Sequence, residues 1–438
     1  MNSNLSQRIA ALPSEKRQLL LKWLKKDNAD KQLVTPSNTT SVAMTVKELT
    51  AEADIEGRKC PYVQFEIPPQ EPTAILLTGV TGFIGAFLLE ELLQQTQANI
   101  YCLVRASDIE EGKQRIQKNL ESYLIWDESK SSRIIPVVGD LSQQFLGLTH
   151  EQFELIADQI DVIYHCGAQV KWTYPYKFLK PSNVLGTLEI IRLACQSKIK
   201  PLHFISTVGV FSSPDYSASV VTEQEHLENS GKIYGGYSQS KWVAEKLVSI
   251  AGSRGLPITI HRPNTEGHSQ TGVFNKHDHL CKILKGCIQL GSVPIDLDWI
   301  VASAPIDFVS KAIIYLSRQR ESLGKVFHLV NPNPIQWNEW VDLISDFGYP
   351  LKRLHYDVWK ETLMDHIKHH RDNELYTLSP LFSDALLEHI RLPMFNCKNT
   401  LDGLRGTSIV CPPIDLELLG TYFSYFTQSG FVKAPSRF

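Results

Sequence analysis

The chain of 438 residues is long enough for two or three domains, or for one large α/β domain with a smaller one attached. A formal net charge of −3 without a long basic run gives no indication of nucleic-acid binding or of an anionic membrane partner. There is no run of about 18 apolar residues, and the eight cysteines are scattered singly. We therefore expect a cytoplasmic protein with free thiols and no membrane span.

The N-terminal segment is predicted to be a helical extension of residues 1–43. Residues 5–26 carry apolar side chains at helical spacing, interrupted at Pro13, and the polar residues 27–41 are typical of a flexible linker. The first residues lack the apolar core of a signal peptide. Two interpretations stay open: a docking element for a partner protein, or a helix that lies on the main domain.

A glycine-rich turn between an apolar strand and a helix is the central feature of the sequence. Residues 74–77 are apolar throughout, residues 86–93 have helical periodicity, and residues 100–104 indicate a second strand. Glycines in such a turn let the backbone approach a pyrophosphate at the helix N-terminus, although the same spacing also occurs in ordinary turns. The context favours dinucleotide binding, and we expect the cofactor to contact Thr78, Gly79, Thr81, Gly82, Phe83, Ile84 and Gly85.

The end of the second strand indicates which dinucleotide binds. An acidic residue there commonly holds a ribose 2′-hydroxyl, whereas an arginine accommodates a 2′-phosphate. This chain has Arg105 at that position and no acid before Asp108. The sequence therefore favours NADP(H), with an arginine that merely caps a strand end as the alternative.

Later strands also end in residues suited to a cofactor. Strands are predicted at 134–138, 161–168 and 202–207, and they alternate with helices, which is typical of a doubly wound parallel sheet. Ligands of such sheets bind beyond the carboxyl ends of the strands. The aspartate at one end can bond an adenine amino group or belong to a plain turn. The residues that we place at these ends are Arg105, Asp140, Leu141, Ala168, Thr207 and, after a strand at 258–262, Pro263.

A tyrosine and a lysine four residues apart form the candidate catalytic pair. Tyr237 and Lys241 lie on one face of a predicted helix. We expect the ammonium to lower the phenol pKa, which makes Tyr237 a usable acid and base, and to hold a ribose hydroxyl. Thr207 offers a second hydroxyl to the same carbonyl oxygen. A half-buried surface pair is the alternative.

The chain resembles the extended short-chain dehydrogenase/reductases, and more narrowly the thioester reductase domains of nonribosomal peptide and polyketide assembly lines. The likeness covers about residues 44–433. It rests on the segments 44–49 (MTVKEL), 77–85, 165–176 (HCGAQVKWTYPY), 183–187 (NVLGT), 267–272 (GHSQTG), 305–309 (PIDFV) and 395–431.

This resemblance implies a fold, an activity and a partner. The fold is a Rossmann-like domain at 44–325, to which 270–294 adds substrate contacts, with a smaller, mostly helical substrate-binding subdomain at 326–438. The activity is NADPH-dependent reduction of a carrier-bound acyl or peptidyl thioester to an aldehyde, and a second hydride would yield the alcohol. The implied catalytic residues are Thr207, Tyr237 and Lys241, with Asn183 supporting the lysine. Because no carrier motif occurs in the chain, we expect a phosphopantetheine-bearing acyl- or peptidyl-carrier protein in trans.

Two departures from the family pattern concern the substrate side. The loop after the strand at 258–262 reads Asn264-Thr265-Glu266, which is one residue shorter than the family pattern and carries a carboxylate. Lys171 stands where asparagine is more usual. We assign to the substrate Lys171, Tyr174, Asn264, Glu266 and His268. The histidine groups at 277–281 and 366–370 lack a closed ligand set, so we expect no metal.

Other functions stay open beside the main hypothesis. A free acyl-CoA reductase and a nucleotide-sugar or steroid-type dehydrogenase belong to the same superfamily. A protein that senses NADP(H) without turnover fits the unusual loop, and a docking scaffold predicts no NADPH affinity. The intact threonine, tyrosine and lysine favour an enzyme.

Overall fold

The computed structural model describes residues 43–64, 71–171, 173–216, 220–276, 278–379, 382 and 392–435. The predicted helix at 5–26 and the linker at 27–41 lie outside the described residues, so the docking hypothesis stays a prediction. The first described helix begins after Thr45, which is its N-cap residue. Thr45 and Glu48 form a reciprocal capping box, in which each side chain accepts the other's backbone N–H.

Seven parallel strands form the central sheet. They are β1 (Ala74–Thr78), β2 (Asn99–Val104), β3 (Ile134–Val138), β4 (Val162–His165), β5 (Leu202–Ile205), β6 (Ile258–Pro263) and β7 (Val326–Leu329). Their order across the sheet is β7-β6-β5-β4-β1-β2-β3. The strand order therefore reverses between the neighbouring strands β1 and β4. In an open α/β sheet a ligand binds at such a switch point, beyond the carboxyl ends of the strands.

Helices connect and cover these strands. In chain order they are α1 (Val46–Gly57), α2 (Phe83–Gln95), α3 (Ile109–Ser122), α4 (His150–Gln159), α5 (Tyr176–Lys180), α6 (Gly186–Cys195), α7 (Gly236–Ser253), α8 (His279–Leu290), α9 (Ile306–Ser317), α10 (Trp337–Asp346), α11 (Tyr356–His369), α12 (Lys398–Gly403) and α13 (Leu416–Gln428).

Both faces of the sheet are buried, because successive strand residues point to opposite sides. Ile75 and Leu77 join a core with α2 and α9, whereas Ala74 and Leu76 join a second core with α4, α6 and α7. Strands buried on both faces read as continuous apolar runs, as the sequence of β1 does. The predicted α/β fold with a doubly wound parallel sheet is confirmed.

A separate apolar cluster gathers residues from Phe274 to Val432, mainly from α8, α10, α11 and α13. Short strand pairs lie around it and at the sheet edge: Met44–Thr45 with Lys232–Ile233, Thr265–Glu266 with Ala304–Pro305, Ser292–Pro294 with Lys352–Leu354, Ile300–Val301 with Ile335–Gln336, and Met394–Phe395 with Val220–Val221. The predicted boundary at residue 326 falls at the start of β7, which belongs to the main sheet. The division into domains stays a prediction.

No helix in the described part of the chain is both long enough and apolar enough to span a membrane.

Candidate active site

One cavity of about 620 Å³ opens at the switch point of the sheet. It runs from the glycine turn past the ends of β2, β3, β4, β5 and β6 to the cluster around Phe274. Residues predicted as functional that line it are Gly79, Thr81, Gly82, Phe83, Ile84, Gly85, Arg105, Asp140, Leu141, Ala168, Lys171, Thr207, Tyr237, Lys241, Pro263, Asn264 and Glu266.

The glycine turn is packed too tightly for side chains. Gly79 has φ +79°, and a Cβ there would lie 2.7 Å from the amide nitrogen of Gly167. Gly82 precedes α2 and has no side chain to cap it. The first N–H groups of α2 therefore remain available to an anion at the positive end of the helix dipole. Thr78 lies beneath the turn rather than in the cavity, and its hydroxyl oxygen accepts from Gly167 N–H at 2.9 Å.

The ends of β2 and β3 carry the predicted adenosine contacts. Arg105 is exposed at the end of β2, and its carbonyl accepts a hydrogen bond from Arg115. Asp140 follows β3, where its carboxylate accepts from both the N–H and the hydroxyl of Ser142 at 2.8 Å. Arg105 thus lies beside the cavity, whereas one carboxylate oxygen of Asp140 is already hydrogen-bonded within its own turn.

Thr207 sits just beyond β5 and caps a short helical turn. Its hydroxyl oxygen accepts the N–H of Gly209 at 3.1 Å. This contact uses a lone pair and leaves the O–H proton as a donor. Thr207 is therefore equipped to hydrogen-bond a carbonyl oxygen in the cavity.

Tyr237 and Lys241 lie in the first turns of α7 and are both buried. The predicted lowering of the pKa of Tyr237 is wrong for this protein, because the net shift has the opposite sign. Burial, with a smaller effect of the Cys166 thiol, raises the pKa of Tyr237. The ammonium of Lys241 instead donates to the carbonyl of Ile205 at 2.8 Å, and burial lowers its pKa to about 8.

Asn183 links two elements of the site without contacting Lys241 in any hydrogen bond of the described residues. Its side chain bonds both backbone groups of Gln169, at 2.7 and 3.1 Å, and donates to Ser240 at 2.9 Å. It thereby ties the loop after β4 to α7, next to the lysine.

Two predicted substrate residues lie outside the cavity. The carbonyl of Tyr174 packs against Gly236 at the start of α7, where a Cβ would come within 2.2 Å of it, and the Tyr174 ring lies edge to face with Phe178 at 6.3 Å. The ring of His268 is tilted against that of Phe87, with 5.7 Å between centroids, and its Nδ1 accepts backbone N–H groups of its own turn. Neither placement brings the side chain to the cavity lining.

Glu266 is the unusual residue of the substrate side. Its Oε2 accepts from the Ser303 hydroxyl at 2.8 Å, while the buried Oε1 has no hydrogen-bond partner among the described residues. The hydroxyl of nearby Tyr422 donates to the carbonyl of Gly267 at 3.1 Å. Burial, opposed by the hydrogen bond from Ser303, raises the pKa of Glu266 to about 7.

The far end of the cavity is an apolar chamber whose individual residues the sequence analysis did not name. Its described lining includes Phe274, Ile283, Trp299, Trp337, Leu378, Phe382 and Leu392. The rings of Trp299 and Trp337 meet edge to face, with centroids 5.3 Å apart. These residues are spread over more than a hundred positions, and no spacing in the sequence connects them. The available signal was the family resemblance, which assigned residues 270–294 and 326–438 to substrate binding and which holds for all of these residues except Trp299.

Within the described residues, no group of three or more histidine, cysteine or acidic side chains is placed to hold a metal ion. His277 lies outside these residues, so the absence of a metal stays a prediction.

Comparisons with known proteins decide the family. A model of NAD-binding proteins, described as Male sterility protein, matches residues 77–313, which is more than half of the chain. The crystal structure of the terminal R domain from the myxalamid PKS-NRPS pathway is 42% identical to this chain, with a TM-score of 0.82. That match covers 89% of this chain and 100% of that domain. This chain belongs to the terminal reductase domain family.

Relatives carry this reductase domain within longer proteins. A linear gramicidin synthase protein of Brevibacillus parabrevis is 42% identical over 400 residues, which cover 90% of this chain and 8% of that protein. The large subunit of the L-2-aminoadipate reductase of Penicillium chrysogenum is 31% identical over 394 residues, which cover 84% of this chain and 28% of that protein. The chain thus spans less than a third of the length of these relatives.

Family and fold together make the protein an NAD(P)-dependent oxidoreductase, as the resemblance implied. The structure fits a nicotinamide dinucleotide: an uncapped helix start faces the cavity, and the glycine backbone has no room for side chains.

Proposed function

We propose that the protein reduces a carrier-bound acyl or peptidyl thioester with NADPH and releases the product as an aldehyde. One observation carries this proposal: a single cavity is lined by the glycine turn, Thr207, Tyr237 and Lys241 and continues into the apolar chamber. The chamber offers apolar surface for an acyl chain. The terminal position of related reductase domains in assembly-line pathways supports a thioester on a phosphopantetheine arm.

NADPH is favoured over NADH because Arg105 lines the cavity at the end of β2. The guanidinium is exposed there and can pair with a 2′-phosphate through two hydrogen bonds. When NADPH is bound, its nicotinamide supplies the hydride.

The chain's own residues hold the carbonyl and move the proton. The hydroxyls of Thr207 and Tyr237 donate to the thioester oxygen and stabilise the negative charge that develops on it. Because burial raises the pKa of Tyr237, the phenol is protonated at neutral pH and gives its proton to that oxygen. The charge of Lys241, one helical turn away, stabilises the phenolate that remains. The hemithioacetal then loses its hydroxyl proton to the departing sulfur as the C–S bond breaks, giving an aldehyde and a thiol.

The carrier is proposed to lie outside these 438 residues, because no carrier motif occurs among them. Reduction of the aldehyde to the alcohol would need a second NADPH and a second proton from the same residues.

The test is NADPH oxidation with matched acyl-pantetheine, acyl-CoA and acyl-carrier thioesters, with wild type beside Tyr237→Phe. Tyrosine-dependent oxidation that yields an aldehyde supports the proposal, and product analysis shows whether the alcohol follows. Equal rates with acyl-CoA and acyl-carrier would favour a free acyl-CoA reductase. Tight NADPH binding without oxidation of any thioester would contradict the reductase and favour the sensing protein.

A further inference from the structure

A buried carboxylate lies directly behind the proposed catalytic residues. Glu245 is 1% exposed and sits on α7 one turn beyond Lys241. One of its oxygens accepts a hydrogen bond from Ser206, which precedes Thr207 in the chain. The other accepts from Nε of Arg262 at 3.0 Å and from a terminal guanidinium nitrogen at 2.6 Å. One carboxylate therefore joins the end of β5, the catalytic helix and the end of β6.

The network continues to the C-terminal segment. Arg262 donates to Nε2 of His328 at 3.1 Å, so the proton of the neutral imidazole is on Nδ1, which donates to the carbonyl of Asn396 at 2.8 Å. Burial lowers the pKa of His328 to about 3, which keeps the ring neutral. Glu223 accepts from the backbone N–H groups of His328 at 3.0 Å and of Thr400 at 3.1 Å. Asn396 and Thr400, at the start of the family-like run 395–431, are thus hydrogen-bonded to the network behind the proposed catalytic residues.

Stability alone is a weak reason for such a network. A buried ion pair loses about as much hydration energy as it gains in attraction, and a packed apolar pair often serves a core equally well. Hydrogen bonds between fixed polar groups do what apolar contacts cannot: they set direction. Here they set the direction of the three elements from which Thr207, Lys241 and Pro263 reach the cavity.

We propose that Glu245 is a positioning residue, which acts through Ser206 and Arg262 to hold the two catalytic hydroxyls and the lysine in register. The glutamate is not among the residues that line the cavity and acts only through its neighbours. This inference rests on the proposed thioester reduction.

The experiment compares wild type with Glu245→Gln and Ser206→Ala, and uses Glu91→Gln as the matched control. Glu91 is another buried helix glutamate, bonded only within α2 to Gln95 among the described contacts. We expect kcat to fall about 10- to 100-fold in both test variants, which is the usual range for lost charge-assisted hydrogen bonds, with the Kd for NADPH unchanged. The control should keep its kcat. A uniform rise in KM with kcat intact would overturn the proposal.

A pH profile separates positioning from a structural role. Lys241 is faced by His165 and Cys166 from the end of β4 and by Tyr237 and Glu245 on its own helix. Burial lowers its pKa, whereas the charge of Glu245 raises it. Glu245→Gln should therefore move the alkaline limb of kcat to lower pH, while Ser206→Ala leaves that limb in place.

Crystal structures of wild type and Ser206→Ala give a readout that needs no turnover. A displaced Thr207 hydroxyl supports the proposal even if Glu245→Gln does not fold, and an unmoved hydroxyl overturns it. A wild-type protein that oxidises no NADPH would refute the proposed function instead, and the crystal structures would still decide whether Glu245 positions Thr207.

Discussion

Gly85 and Gly79 are in backbone contact across the nucleotide turn: a Cβ on Gly85 would lie 2.1 Å from the carbonyl oxygen of Gly79. Real Cβ atoms do not approach an oxygen so closely, and the neighbour is backbone rather than a flexible side chain. The third glycine of the turn is therefore required by the packing of α2 on the turn itself, which places the helix N-terminus at the cavity.

Gly85→Ala should raise the Kd for NADPH about 10-fold or more and lower the thermal midpoint, since the turn must shift to admit the methyl group. Fluorescence titration and thermal unfolding measure the two effects. Gly420→Ala is the control, because its Cβ would meet a single neighbouring atom, in Phe347, at 3.6 Å, within α13. An NADPH affinity equal to wild type in Gly85→Ala would show that the turn adapts.

Arg105→Ala should weaken NADPH binding about 10- to 100-fold and leave NADH binding unchanged, because only NADPH carries the 2′-phosphate. Titrations with both cofactors at one ionic strength check this expectation. Lys113→Ala removes an exposed positive charge from α3 and serves as the control for general attraction. Equal weakening for both cofactors would mean that Arg105 does not read the phosphate.

Tyr237→Phe should lower kcat for thioester reduction by about 10²- to 10⁴-fold, since a proton donor is lost from the reacting carbonyl. NADPH affinity should stay unchanged. Tyr164→Phe is the matched control: this buried phenol bonds Ser317 at 2.7 Å and is not among the cavity residues. The assignment fails if both variants retain wild-type kcat.

Local sequence patterns predicted most of the parallel sheet and of the residues proposed to bind the nucleotide. Apolar runs gave the strands β1 to β6, and the residues at their ends were placed around one cavity because parallel strands share a carboxyl edge. The edge strand β7 was missed, since its sequence VFHL is short and lies at the start of the segment 326–438, which was expected to be mostly helical. Pairing with β6 decides its conformation, and that contact spans more than sixty residues.

Long-range contacts also explain what the motifs did not reveal. The four-residue spacing of Tyr237 and Lys241 predicts a shared helix face. It does not predict that the Lys241 ammonium donates to the carbonyl of Ile205, which lies on strand β5. Burial then reverses the expected pKa shift of the tyrosine. Likewise, Asn183 is directed to Ser240 by packing between helices that the sequence separates by about fifty residues.

The structure defines both the position of the Glu266 carboxyl group and its hydrogen-bond partners, neither of which the sequence specifies. Thr265–Glu266 pairs in parallel with Ala304–Pro305, which holds the carboxyl group between the cavity and the C-terminal cluster. One oxygen has the Ser303 hydroxyl as its partner, and the other has none in the described part of the chain. A buried carboxyl with so few donors favours its neutral form.

Glu266→Gln should therefore change how stability depends on pH. Burial raises the pKa of Glu266 from 4.5 to about 7 in the folded protein. The folded state holds the proton more tightly than the unfolded chain, so this contribution to stability is complete below the unfolded pKa and is lost as the pH rises through about 7. Glutamine imitates the neutral acid and cannot ionise. The free energy of unfolding of the variant should therefore rise relative to that of wild type, by on the order of 1 kcal/mol, as the pH is raised from about 5 to 8. Urea unfolding across that range measures the difference, with exposed Glu361→Gln as the baseline for loss of a surface carboxylate. A difference that does not vary with pH would mean that Glu266 is ionised throughout, and the loop would then present a fixed negative charge to the substrate.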